Sequence, residues 1–183
     1  MKNKVLYKMN YRKRLIEWLF EISQKAYLLL KKKQPWAITN AQLLVMPSNT
    51  FGYQLGIFLQ NQGFQLIPKV ERHDAYHLLT GFSTSVQDEI ALQYVCFGNG
   101  KRTPYLLGVL ILGTLLLPEY ASYYKQAYSF GRQSNHFHHF DFKHVLPIDY
   151  DLFRSTVFSE TIQQGLRKLQ KQYNQELNQI QTL

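Results

Sequence analysis

One cysteine, Cys96, is all that the 183 residues contain, which excludes an intrachain disulfide and points to a reducing, cytoplasmic setting. It lies within Tyr94-Val95-Cys96-Phe97, a context for buried packing rather than for a nucleophile. No secretory leader is expected, because Glu17 and Glu21 interrupt the first apolar run and no small-residue cleavage site follows. Long apolar runs are missing too. The strongest, 105–117, has 13 residues where a bilayer span needs about 20. A buried helix bounded by Pro104 and Pro118 is expected there, with Gly108 and Gly113 giving close helix contact or room for a ligand chain. Period-two alternation of apolar and polar residues is scarce and no internal repeat stands out, which argues against sheet-based folds. No histidine occurs before His73. That disfavours a metal-dependent phosphohydrolase, whose adjacent His-Asp pair works with a separate upstream His.

Acidic residues are few, 12 against 21 Lys and Arg, for a net charge of +9. The imbalance is local. Residues 1–33 hold ten Lys and Arg against two Glu, a net +8. Within that segment Leu15, Trp18, Leu19 and Ile22 recur at i, i+3, i+4 and i+7, a helical apolar stripe with Lys13, Arg14 and Lys25 around it. Two uses fit: a basic amphipathic helix lying on an anionic membrane surface, or a terminal helix packing its stripe on the core. Nucleic acid is not an expected partner, because no recognised module accompanies the charge.

Helical periodicity dominates what remains, so the expected fold is an all-α, single-domain multi-helix bundle. Helices are predicted at about 11–33, 40–46, 49–62, 69–80, 86–97, 104–117, 119–133, 150–158 and 160–181. Ser48 and Asn49 are expected to cap the third and Gly63 to end it. Pro68 opens the fourth, and Gly98-Asn99-Gly100 breaks the chain before Pro104. The main domain covers 1–158, with a helical extension over 159–183. In that extension Ile162, Leu166, Leu169, Tyr173, Leu177 and Ile180 share one face, a seam for its own domain or for a second copy in a homodimer. Four histidines, His136, His138, His139 and His144, sit in an aromatic stretch. They suit either a loop covering a functional site or a second metal site.

The informative cluster is His73, Asp74, His77 and Glu89: His-Asp-x-x-His, eleven residues, then Glu. Residues i and i+4 lie on one helix face, so both imidazoles can reach one ion with Asp74 at its edge. Glu89 would lie about 18 Å further along an unbroken helix, so the chain must reverse, giving a metal site on a helix-turn-helix. Gly81 supplies a C-terminus, Ser83, Thr84 and Ser85 are N-cap types, and Thr84 to Gln87 fits a capping box. Two nitrogens and two carboxylates suit Zn2+, and also Fe2+ or Mn2+.

This segment resembles the coenzyme Q (ubiquinone) biosynthesis protein 4 family, whose signature is the same His-Asp-x-x-His-x11-Glu. The likeness extends to Phe51-Gly52-Tyr53-Gln54-Leu55-Gly56, to Ala127-Tyr128-Ser129-Phe130-Gly131-Arg132, and to Leu146-Pro147-Ile148 through Leu152 and Arg154. It covers residues 40–158. Phe140 and Phe142 stand where the family usually carries a Trp, and residues 159–183 run past its usual end. The resemblance implies oxidative decarboxylation and hydroxylation of a polyprenylated benzoate ring, a lyase-type step of quinone biosynthesis. It implies a metal held by His73, Asp74, His77 and Glu89, with Asp74 and Glu89 as the candidate catalytic carboxylates. The implied partners are a polyprenylated lipid, other quinone-biosynthesis proteins and a membrane surface, on the inner face of the cell membrane. A polyprenyl tail would need a greasy groove, for which Phe51, Phe58, Leu106, Leu110 and Leu117 are the expected walls, core packing being the equal alternative for each. The alternative is a non-catalytic prenyl-lipid-binding scaffold that uses its metal only to hold the fold.

Overall fold

The computed structural model describes residues 11–23 and 32–181, with side chains through residue 173. The described chain runs α1 (11–23), α2 (Asn40–Leu44), α3 (Phe51–Gln62), α4 (Glu71–Thr80), α5 (Val86–Gly98) and α6 (Pro104–Leu116). A 3-10 turn (Pro118–Tyr120) then leads into α7 (Ala121–Gln133), α8 (Phe142–Val145), α9 (Tyr150–Val157) and α10 (Glu160–Gln181). No strand forms among the described residues, where the only bridge is an isolated one between Thr50 and Asp149.

Local chemistry sets most helix ends. Thr39 and Gln42 close a capping box on α2, Thr103 caps α6 with Pro104 at its first position, and Gly63 and Gly81 adopt left-handed conformations at the ends of α3 and α4. Three predicted caps differ. Thr50, not Ser48 or Asn49, caps α3 by accepting from the Tyr53 amide. Pro68 stays in the turn before α4, which starts after Val70. At α5 the Thr84–Gln87 box does not form: Ser85 is the N-cap without a side-chain bond. Asp88 reaches back instead and accepts from the Ser83 amide at 3.0 Å and its hydroxyl at 2.6 Å.

Helix α5 is the hub, and each of its faces has a different neighbour. Toward α7 the two backbones nearly touch. A Cβ on Gly131 would fall 2.1 Å from the Val95 carbonyl oxygen, and one on Gly98 2.2 Å from that of Tyr128. Toward α6, Ile90 fills the space left by Gly113. The third face, carrying Glu89 and Gln93, borders a cavity. Buried Ile162, Leu166 and Leu169 seat α10 on the core, and Tyr173 packs on Tyr123 with ring centroids 4.2 Å apart. The seam of the last helix thus serves its own domain up to residue 173; the side chains of Leu177 and Ile180 lie outside the described residues. Arg154 ties α9 to the end of α4 by donating from Nε to the Leu79 carbonyl at 3.1 Å.

Other expectations need correction. Residues 32–39 are not helical: Pro35 removes an amide donor and disfavours helical geometry just before it. This segment instead buries Trp36, whose amide donates to Glu71 Oε1 at 2.9 Å. The other predicted helical residues there, 24–31, lie outside the described residues. Helix α1 buries Ile16 and leaves Trp18 and Ile22 at 56% and 46% exposure, so the predicted stripe does not pack as a unit on the core. Helix α6 is only half a core helix. Leu106, Val109 and Leu110 are buried while Leu107, Ile111, Leu112 and Leu115 face outward. Gly108 has nothing near it. Among the described residues no single helix is long and apolar enough to cross a membrane, and α6 and the following 118–133 segment are bent by 105°.

Candidate metal centre

The reversal between α4 and α5 does what the spacing requires. Gly81 takes φ 81°, a conformation costly for residues with a Cβ, and its amide caps the His77 carbonyl at 2.8 Å. Phe82 then plunges into the core. Glu89, in the first turns of α5, returns to the face of α4 that carries both imidazoles. Glu89 Oε2 lies 3.0 Å from His73 Nε2, Oε1 lies 3.1 Å from His77 Nε2, and the two Nε2 atoms are 3.1 Å apart. Ligands about 2.0–2.2 Å from one ion are spaced in this way.

The tautomer supports an ion as well. His77 Nδ1 donates to the Phe82 carbonyl at 3.0 Å, which turns its Nε2 toward the centre, with a lone pair there whenever the imidazole is neutral. Such an outer bond to a backbone carbonyl is what fixes and strengthens a ligating imidazole. Phe58 stacks on the same ring at 6.1 Å. Electron-rich atoms of three side chains converging this closely repel one another unless positive charge sits among them, as protons on the imidazoles or as one divalent cation. Burial works against a charged His77, but Glu89, by charge and hydrogen bond, together with the Phe82 carbonyl and Asp74, outweighs it and raises the imidazole's pKa. Burial also opposes charge on Glu89, yet the two imidazoles, by charge and by hydrogen bond, hold its carboxyl well below the usual range.

The structure therefore brings His73, His77 and Glu89 together, and their donor atoms all lie within 4.8 Å of one another. Asp74, the fourth predicted ligand, stands outside this convergent set. Its carboxyl is pushed up to about 6, chiefly by burial, with the imidazoles pulling the other way. Its Oδ2 is buried without a hydrogen-bond partner. Among the described residues no second group of this kind forms, so the histidines of 136–144 do not assemble a metal site. Two of them instead border the first: His138 and His139 line the cavity, and the His138 carbonyl accepts from Tyr76 Oη at 3.0 Å.

That cavity, about 1080 Å³, holds His73, Asp74, His77 and Glu89 on its wall. Phe20, Phe64, Ile67, Tyr105 and Val109 give it apolar surface, and Lys33, Arg72, Lys101 and Arg102 give it cations. The expected groove walls are misplaced. Phe51, Leu106, Leu110 and Leu117 are core residues, because each sits on the inward face of its helix. Sequence reasoning also missed Gln93, although its place four residues after Glu89 puts both on one helix face.

An all-α domain with a two-histidine, one-carboxylate centre opening into a large cavity is the class these observations define. The sequence matches no protein-family profile and no curated protein. A crystal structure of a candidate ubiquinone biosynthesis protein from Nostoc punctiforme shares the fold, with a TM-score of 0.58 and 17% identity over 81% of this chain and 82% of that one.

Proposed function

We propose that this protein binds a divalent metal ion and acts in quinone biosynthesis on a polyprenylated benzoate ring. The observation that carries the reading is the convergence of His73, His77 and Glu89 on the wall of a cavity lined by both apolar and cationic side chains. Apolar side chains suit a prenyl tail, and Lys33, Arg72, Lys101 and Arg102 suit an acidic head group. The likeness to the Nostoc protein supports the same reading at the level of the fold.

His73 and His77 would hold the ion through Nε2 and Glu89 through its carboxylate, leaving one or more positions open. A divalent ion held there supplies Lewis-acid stabilisation of charge developing on an oxygen of the ring acid. His77, fixed by Phe82, orients the centre, and Glu89 neutralises part of its charge. Asp74, which lines the cavity beside the centre and has one buried, unpaired oxygen, is placed to hold or move a proton. In the proposed reaction the bond from ring carbon to carboxyl breaks and CO2 leaves. A hydroxyl whose oxygen comes from water takes its place, and the two electrons lost by the ring pass to dioxygen, which leaves as hydrogen peroxide.

The partner surface in this reading is an anionic lipid leaflet. Leu107, Ile111, Leu112 and Leu115 form an outward face of α6 with no charged residue between Arg102 and Glu119, next to α1 with its exposed Trp18 and Arg14. Arg12 joins the two helices, donating to the Leu116 carbonyl at 3.0 Å and pairing with Glu119 at 2.8 Å. An apolar face beside a basic helix is the combination that an anionic interface attracts.

Elemental analysis of the purified chain, with mass spectrometry of co-purified lipid, tests the proposal. About one divalent ion per chain together with a prenylated ring compound is expected. Finding neither refutes it. If chelation unfolds the protein while turnover is absent from the loaded form, the scaffold alternative takes its place.

A further inference from the structure

Two buried acceptor atoms without partners belong to residues lining the cavity, Asp74 Oδ2 and Gln93 Oε1. Asp74 belongs to the metal motif; Gln93 does not. Gln93 is 5% exposed, and its Oε1 is buried with no hydrogen-bond partner among the described residues. A buried amide left unpaired is costly, and native proteins rarely leave one without a reason. Filling the space would be served equally well by Met, which is as long and carries no such cost.

Position adds the second half of the argument. Gln93 follows Glu89 by one helical turn, so their Cβ atoms are about 5–6 Å apart on one face of α5. We infer that Gln93 is a positioning residue whose carboxamide hydrogen-bonds a ring hydroxyl of the ligand, at the end opposite the one held by His73, His77 and Glu89. The inference rests on the ring-acid reading above and adds a specificity element to it. A site built to bond a hydroxyl discriminates against the analogue lacking it, because its own polar group is then left unpaired.

The test uses the zinc-loaded full chain and two probes, 3-farnesyl-4-hydroxybenzoate and 3-farnesylbenzoate, measured by equilibrium dialysis. The wild type should prefer the hydroxylated probe by about tenfold, the scale of one net hydrogen bond. Gln93→Met should abolish that preference by weakening the hydroxylated probe alone. Without ligand, the same variant should melt about 2–4 °C higher, since an unpaired polar group is gone. A merely structural role for Gln93 gives the opposite sign. Gln93→Leu is the second variant should circular dichroism show the first to be misfolded. A preference that survives the substitution, or a lowered melting point, overturns the inference while leaving the ring-acid reading intact. Failure of both probes to bind the wild type removes the ring-acid reading, and the inference with it.

Discussion

Glu89→Gln separates the ion's contribution from that of the fold. In the ion-free protein the substitution keeps the side chain's volume. Because His77 Nδ1 is already committed to the Phe82 carbonyl, the new amide can donate to His77 Nε2. Helicity at 20 °C is therefore expected to match the wild type. The ion-bound protein is another matter. At free zinc a hundredfold above its dissociation constant, the wild type gains about 2.7 kcal/mol. For a chain of this size that is roughly 5–10 °C in melting temperature. The substitution removes the one carboxylate among the three convergent donors. A hundredfold loss of affinity, on the order of the larger losses seen even for outer-shell changes, would cut the gain at the same zinc concentration to about 0.4 kcal/mol. The assay is thermal melting by circular dichroism in zinc-buffered solution, with bound metal counted by mass spectrometry. If the variant keeps the full zinc-dependent rise and one ion per chain, Glu89 is not a ligand and the centre has been read wrongly.

Three further outcomes follow from the packing. Gly131→Ala places a methyl carbon against the Val95 carbonyl and forces α5 and α7 apart, so a loss of about 1–3 kcal/mol or more is expected in urea unfolding; an unchanged midpoint would contradict the backbone contact. Tyr123→Phe strips Asp88 Oδ1 of its 2.6 Å donor and leaves a buried carboxylate oxygen unpaired, for a similar loss of about 1–3 kcal/mol, whereas a neutral result would mean that the Ser83 bonds alone satisfy Asp88. Ile111→Glu combined with Leu115→Glu alters side chains that are 61% and 72% exposed. Melting should not move, while co-sedimentation with phosphatidylglycerol vesicles should fall by about a hundredfold or more, given roughly 1.5–3 kcal/mol for each large apolar side chain withdrawn from lipid; vesicle binding that persists would acquit α6.

Much of this architecture was legible because strong local signals and tertiary demands agree. Gly63, Gly81 and Pro104 punctuate the chain where the helices end or begin, and the i, i+4 spacing of His73 and His77 required only one reversal to meet Glu89. Less legible were features decided at a distance. The Thr84–Gln87 capping pattern lost to Asp88, whose carboxylate is held from the far side by Tyr123. The apolar run 105–117 could not reveal which of its sides would be covered, because that depends on where Ile90 and α1 come to rest. The cavity walls were misassigned for the same reason: Phe51 and Leu106 are as apolar as Phe20 and Phe64, and only the packing distinguishes them. Helix α8 is four residues long and begins at Asp141 with an ordinary cap, too short to leave a periodic trace.

The inner imidazole sits in a closed loop of contacts. His77 holds the Phe82 carbonyl, the Phe82 ring abuts Tyr123, Tyr123 grips Asp88, and the next residue, Glu89, comes back to His77. Such a loop behaves like a triangulated truss, in which no strut can lengthen alone. Tyr173 of α10 leans on the Tyr123 strut, so the seating of the last helix should govern how firmly these three donors hold their spacing, although that helix contributes none of them.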